Sequence, residues 1–144
     1  MIVRPYEVGD ERRVRLQVSQ QYLGEYLDTL DTMELKALTE AGLVWTCEKH
    51  GTIIAIGGLI PLWENRAQAW MLIAGDLKTN MIGLHRGVKK FLAKAPYRRI
   101  EATVDIGFKE GYRWLKMLGF EIEGYMKAYR PDGGDMMLFA RVRR

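Results

Sequence analysis

The chain has 144 residues, is 48% apolar and 28% charged, and holds 15 Gly and only 4 Pro. That length suits a single hydrophobic core, and that composition excludes a disordered, collagen-like or low-complexity chain. The formal net charge is +4, no run of about 18 apolar residues occurs, and MIVRPYEVGDERRVR is charged where a secretory signal needs its apolar segment, so a cytoplasmic protein off the membrane is expected.

IVRP at the start reads as a short strand ending at Pro5. Gly9-Asp10 follows, with Asp10 as the expected N-cap of a helix carrying Val14, Leu16, Val18 and Tyr22. A second helix is predicted over residues 24–41, where Leu27, Leu30, Leu35 and Leu38 recur at three- and four-residue intervals, and Gly42 ends it. Three extended segments come next: LVWTCEK, TIIAIGGLIPL and AQAWMLIA. The turn signals His50-Gly51 and Glu64-Asn65 separate them, so two hairpins of an antiparallel meander are expected.

Residues 72–87, LIAGDLKTNMIGLHRG, break at Gly75-Asp76 and resume at helical spacing. The stretch is either a phosphate-cradling turn or a plain strand-to-helix junction capped by Asp76. Leu77, Met81, Leu84, Val88 and Phe91 share one helical face, and Pro96 closes that helix. RRIEATVD is a predicted strand, with Ile100, Ala102 and Val104 alternating against charges. Glu101 and Asp105 then face a cleft or solvent. FKEGYRWLKMLG is a short helix stopped by Gly119, and FEIEGYMKAYR and DMMLFARVRR are strands joined at PDGG. The order is β-α-α-β-β-β-α-β-α-β-β. It predicts one α+β domain over residues 1–144, with a mixed, mostly antiparallel sheet of about seven strands.

Residues 1–77 carry 7 Lys/Arg against 11 Asp/Glu, and residues 78–144 carry 15 against 7, so an anionic ligand is better sought in the C-terminal half. The basic residues are dispersed and no nucleic-acid motif occurs, which makes nucleic acid the weakest partner. Cys47 is the lone cysteine and lies in the apolar run LVWTC, so a buried thiol is expected and no internal disulfide can form. His50 and His85 are far apart and lack close ligand-type neighbours, so no metal is expected. Trp45, Trp63, Trp70 and Trp114 are assigned to the core, with Trp63, beside Pro61 and Glu64, the alternative lining of an acceptor pocket. Exposed tryptophans and methionines would equally serve a homodimer face.

The element order, the junction at residues 72–87 and the helix ending in Leu118-Gly119-Phe120 together resemble the GNAT acyltransferase superfamily. More narrowly, AIGG, QAWML and YRWLKMLGF resemble a small bacteriophage-encoded GNAT-like family, some of whose members are internal virion or morphogenesis proteins. The resemblance implies that the fourth strand splays from the fifth and pairs with the pantetheine arm of acetyl-CoA, here through Met71, Leu72 and Ile73. It implies a pyrophosphate turn of the form (R/Q)xxGx(G/A), which in register places Lys78 at the basic position, then Thr79, Asn80, Met81, Ile82 and Gly83. Arg86 would neutralise phosphate charge. Met81 departs from the pattern by standing where the first glycine belongs.

The same resemblance implies a base that takes a proton from the attacking amine and a tyrosine that returns one to the departing thiolate. The expected tyrosine position holds Leu115, so Tyr112, three residues earlier on a similar helical face, is the substitute candidate, and Asp105, Glu101 and Glu64 are the candidate bases. Two functions are implied. One is an acyl-CoA-dependent N-acyltransferase acting on a small-molecule or protein amine. The other is a catalytically inactive phage protein of this fold that binds a virion or host protein in the host cytoplasm.

Overall fold

The computed structural model describes residues 1–14, 32–74 and 77–144. In chain order the elements are β1 (Ile2–Pro5), α1 (Asp10–Arg13), α2 (Thr32–Glu40), β2 (Val44–Lys49), β3 (Thr52–Trp63), β4 (Arg66–Ile73), a 3-10 turn (Leu77–Asn80), α3 (Met81–Lys94), β5 (Arg99–Asp105), α4 (Lys109–Met117), β6 (Glu121–Met126) and β7 (Met136–Val142). The seven strands form one sheet in the order β1-β2-β3-β4-β5-β7-β6, with β4 and β5 parallel. This is the mixed α+β architecture predicted. Leu16, Val18, Tyr22 and the first half of the predicted 24–41 helix lie outside the described residues. No helix among the described residues is long and apolar enough to cross a membrane.

By internal contacts the chain forms two units. The first comprises residues 1–60 and 70–93. Its core gathers Tyr6, Val14, Leu35, Val44, Ile53, Ile56, Leu72 and Ala74, with Leu38 and Trp70 packed against them. His50 and Gly51 both adopt positive φ, 52° and 79°, which is the backbone a tight β2–β3 hairpin needs to match strand twist. Gly42 ends α2 in the left-handed region, where Leu43 N–H reaches back to Leu38 O at 2.9 Å. Gly58 admits the closest backbone approach: a Cβ there would lie 2.3 Å from Leu43 O.

Asp10 does not cap α1. Gly9 holds the N-cap position, and Asp10 is the first helical residue, 2% exposed. Its carboxylate accepts hydrogen bonds from Arg4 (2.9 and 3.0 Å), from Glu7 N–H (2.9 Å) and from the Thr46 hydroxyl (2.8 Å). Burial pushes its pKa up, but these donors outweigh burial and hold it below the ordinary carboxylate value. The residue therefore ties β1 and α1 to β2 instead of serving its own helix.

The second unit comprises residues 61–69 and 94–144. The start of β4 pairs with β5 at Arg66–Arg99, Ala67–Ile100 and Gln68–Glu101, and β5 continues beside β7 from Arg99–Val142 to Asp105–Met136. Ile100, Ala102 and Val104 are buried, as their alternation predicts. Gly119, at φ 94°, ends α4, and Phe120 N–H reaches Leu115 O at 2.9 Å. The expected long final hairpin is shorter than predicted, because β6 stops at Met126. Ala128 turns to φ 52°, and its N–H is taken by Asp135 at 2.8 Å. PDGG then closes a loop of its own, with Arg130 N–H on Gly134 O and Gly134 N–H on the Asp132 carboxylate. Side-chain acceptors here outcompete the ladder.

Candidate functional site

In the first unit the stretch read as a cofactor site begins where β4 ends. Leu72 and Ala74 point into the core with Trp70, as the two-residue strand period requires, so Leu72 can meet a ligand only through its backbone. Met71 and Ile73 fall on the other face, the first half-buried and the second buried. The positions matched to the phosphate turn are helical from the outset: Lys78, Thr79 and Asn80 lie in the 3-10 turn, and Met81, Ile82 and Gly83 open α3. Thr79, Ile82, Gly83 and Arg86 are exposed, and Ile82, at 71%, shields nothing.

Met81 is half-buried. Asn80 holds a side-chain oxygen that is buried and has no hydrogen-bond partner. Such an orphan is uncommon in a native interior, and turning the amide would offer an N–H instead. Gly83 has a role that its spacing did not signal: a Cβ there would sit 2.9 Å from the Met1 sulfur, so the N-terminal methionine packs over the first turn of α3. An apolar pocket of about 230 Å³ in this unit, lined by Val3, Trp45, Leu84 and Phe91 among others, includes none of the predicted site residues.

In the second unit β5 and α4 carry the candidate acid and bases. Tyr112 donates its hydroxyl to Ile106 O at 2.6 Å and packs its ring 5.5 Å from that of Phe139. Burial first, and then the nearby Asp105 charge, push the Tyr112 pKa up, so it keeps its proton. Asp105, at the end of β5, accepts a hydrogen bond from Arg130 at 2.8 Å. Leu115, where the resemblance expects a tyrosine, is half-buried.

Glu101 faces neither an open cleft nor bulk solvent. It is 7% exposed, accepts two hydrogen bonds from Arg66 (2.5 and 3.0 Å) and a longer one from Arg99 (3.4 Å). The Arg66 hydrogen bonds, against the opposing effect of burial, hold its pKa below the ordinary glutamate value. Three of the four tryptophans are buried or half-buried, but Trp63 is 63% exposed and lines a pocket at the β3–β4 turn. Among the described residues no cluster of His, Cys, Asp and Glu could hold a metal ion.

The sequence matches no family model and no curated protein. The fold does match solved structures over nearly its whole length. A ribosomal-protein-alanine N-acetyltransferase from Brucella melitensis superposes with TM-score 0.75 at 15% identity, covering 99% of this chain and 100% of that one. Ard1 from Thermoplasma volcanium gives 0.73 at 14% identity, covering 99% and 97%. A GNAT-family acetyltransferase from Streptococcus pneumoniae gives 0.69 at 15%, covering 99% of both. At such identities the likeness establishes architecture alone, and that architecture is GNAT-like.

Proposed function

We propose that the protein is an acetyl-CoA-dependent N-acyltransferase that acetylates an amine on a small molecule or a protein, with residues 1–144 acting as one domain in the cytoplasm. The observation that carries this reading is the junction after β4: Met71, Leu72 and Ile73 lie beyond the Gln68–Glu101 end of the β4–β5 register, and Asn80, just before α3, has a buried side-chain oxygen without a hydrogen-bond partner. Those residues fit a pyrophosphate, because the positive end of a helix and its first N–H groups favour an anion, and the Asn80 amide, turned to present its N–H, would donate to one.

In this reading the backbone of Met71, Leu72 and Ile73 aligns the pantetheine arm. Thr79, Asn80, Met81, Ile82 and Gly83 present N–H groups, and Lys78 and Arg86 balance the phosphate charge. Acetyl-CoA supplies an activated acyl carbon and a thiolate leaving group. Asp105 takes the proton from the amine as its nitrogen bonds to that carbon, and Tyr112 protonates the departing sulfur. Glu101, occupied by Arg66 and Arg99, acts as the support beneath β5 rather than as the base. The structural likeness to N-acetyltransferases supports the reaction class by analogy of fold.

A second reading is a catalytically inactive bacteriophage protein of this fold, engaged in virion assembly or host-protein binding in the host cytoplasm. Leu115 at the tyrosine position and Met81 at the glycine position favour it. Release of free CoA thiol from acetyl-CoA in the presence of polyamine and peptide amines separates the two. The first reading expects amine-dependent release that falls about 100-fold in Tyr112→Phe. No release with any amine contradicts it.

A further inference from the structure

The pocket at the β3–β4 turn belongs wholly to the second unit and is lined by none of the residues that the proposed mechanism uses. It is an open surface depression of about 410 Å³ lined by Trp63, Glu64, Arg66, Arg98, Arg99 and neighbours, accessible from solvent to a flat ligand. We infer that this pocket binds a small planar anion, a flat aromatic ring bearing one carboxylate or phosphate, with the ring on Trp63 and the anionic group on Arg98.

The lining is built to hold Trp63 in the open. The Arg66 guanidinium lies 4.1 Å from the Trp63 ring centroid, within the range of a cation over a π-face. Arg66 is in turn fixed from behind by Glu101 at 2.5 Å. An indole so supported on one face keeps 63% of its surface exposed. A planar ring stacked on the open face would gain offset-stacking contact with the indole.

The guanidinium groups divide into scaffold and receptor. Arg66 and Arg99 are matched by Glu101 and Glu123, the latter 2.5 Å from Arg99, so their donors are largely occupied. Arg98 is exposed and, among the described residues, makes no side-chain hydrogen bond or ion pair. Its backbone is nevertheless pinned on both sides: Arg98 O accepts Arg143 N–H at 2.8 Å, and Arg99 N–H donates to Asn65 O at 2.9 Å. A free guanidinium on a fixed backbone, beside an open indole, suits a carboxylate or phosphate attached to a ring. Glu64, exposed at the turn, is the one like charge an anion would meet.

The test follows the backbone N–H signals of Asn65 and Arg99, which line the pocket and remain in every variant, in a nitrogen-proton correlation spectrum during titration with 2-naphthoate and with AMP, each beside its neutral counterpart, 2-naphthamide and adenosine. Saturable shifts with either anion, weakened about tenfold by Trp63→Ala and by Arg98→Gln and strengthened by Glu64→Gln, support the inference. The anion that binds identifies an aryl acid or a nucleotide as the source. Equal binding of the neutral counterparts, insensitivity to both Trp63→Ala and Arg98→Gln, or no shift with either anion at about 10 mM overturns it. Both replaced side chains are exposed, so the variants fold. Acetyl-CoA titrations on the same variants are expected unchanged, which keeps this result separate from the proposed transferase function.

Discussion

Glu101 on β5 and Arg66 on β4 form a two-bond ion pair at 2.5 and 3.0 Å, beside the parallel register that joins their strands. In the proposed mechanism this pair makes Glu101 a support for β5 and leaves the base to Asp105. Glu101→Gln is expected to lower stability by about 2 kcal/mol, because it leaves guanidinium donors short of a charged acceptor. Acetyl transfer per folded molecule is expected to stay within about threefold of the parent. Thermal melts and single-turnover rates measured together check this.

The acid sensitivity of the fold centres on Asp10. Its folded pKa is depressed, so its contribution to stability is complete above the unfolded aspartate value of about 3.9 and is lost as pH falls through the folded value. Asp10→Ala is expected to cost about 3 kcal/mol at neutral pH, by freeing Arg4 and the fully buried Thr46 hydroxyl. The penalty is expected to shrink toward pH 2. Urea midpoints of the two proteins across that range measure the convergence.

Gly58 and Gly124 make a matched pair of strand glycines. Alanine at Gly58 would drive a methyl into Leu43 O at 2.3 Å, a backbone atom that cannot move alone, whereas at Gly124 nothing lies within 4 Å. Gly58→Ala is expected to cost about 3 kcal/mol and Gly124→Ala less than about 0.5 kcal/mol in chemical denaturation.

Tyr112 keeps its proton because burial and Asp105 both oppose ionisation. The alkaline limb of an acetyl-transfer rate profile is therefore expected above the ordinary tyrosine value of about 10, and to vanish in Tyr112→Phe. A limb that stays in the phenylalanine variant assigns the proton to another group.

What was legible in the sequence was local. His50-Gly51, Gly42 and Gly119 announce turns and helix ends through their own backbone preferences, and each is found in the positive-φ region. The β5 alternation needs only the strand period. What was hidden depends on partners distant in sequence: Glu101 looks like a surface acid until Arg66 is brought beside it, and Asp10 looks like a cap until Arg4 and Thr46 claim it. The end of β6 was misplaced because Asp132 and Asp135 satisfy backbone N–H groups that the alternation assigned to a ladder. In the candidate cofactor turn, spacing indicated Gly83 and Met81 but not that Met1 packs on the first of them.

Calorimetric titration of acetyl-CoA into the parent protein, Lys78→Ala and Met81→Gly reads out the proposed acetyl-CoA site at the start of α3. Binding is expected in the micromolar to sub-millimolar range, weakened about tenfold by Lys78→Ala and strengthened by Met81→Gly, which opens the turn. No heat at millimolar acetyl-CoA, or binding indifferent to both substitutions, contradicts that site.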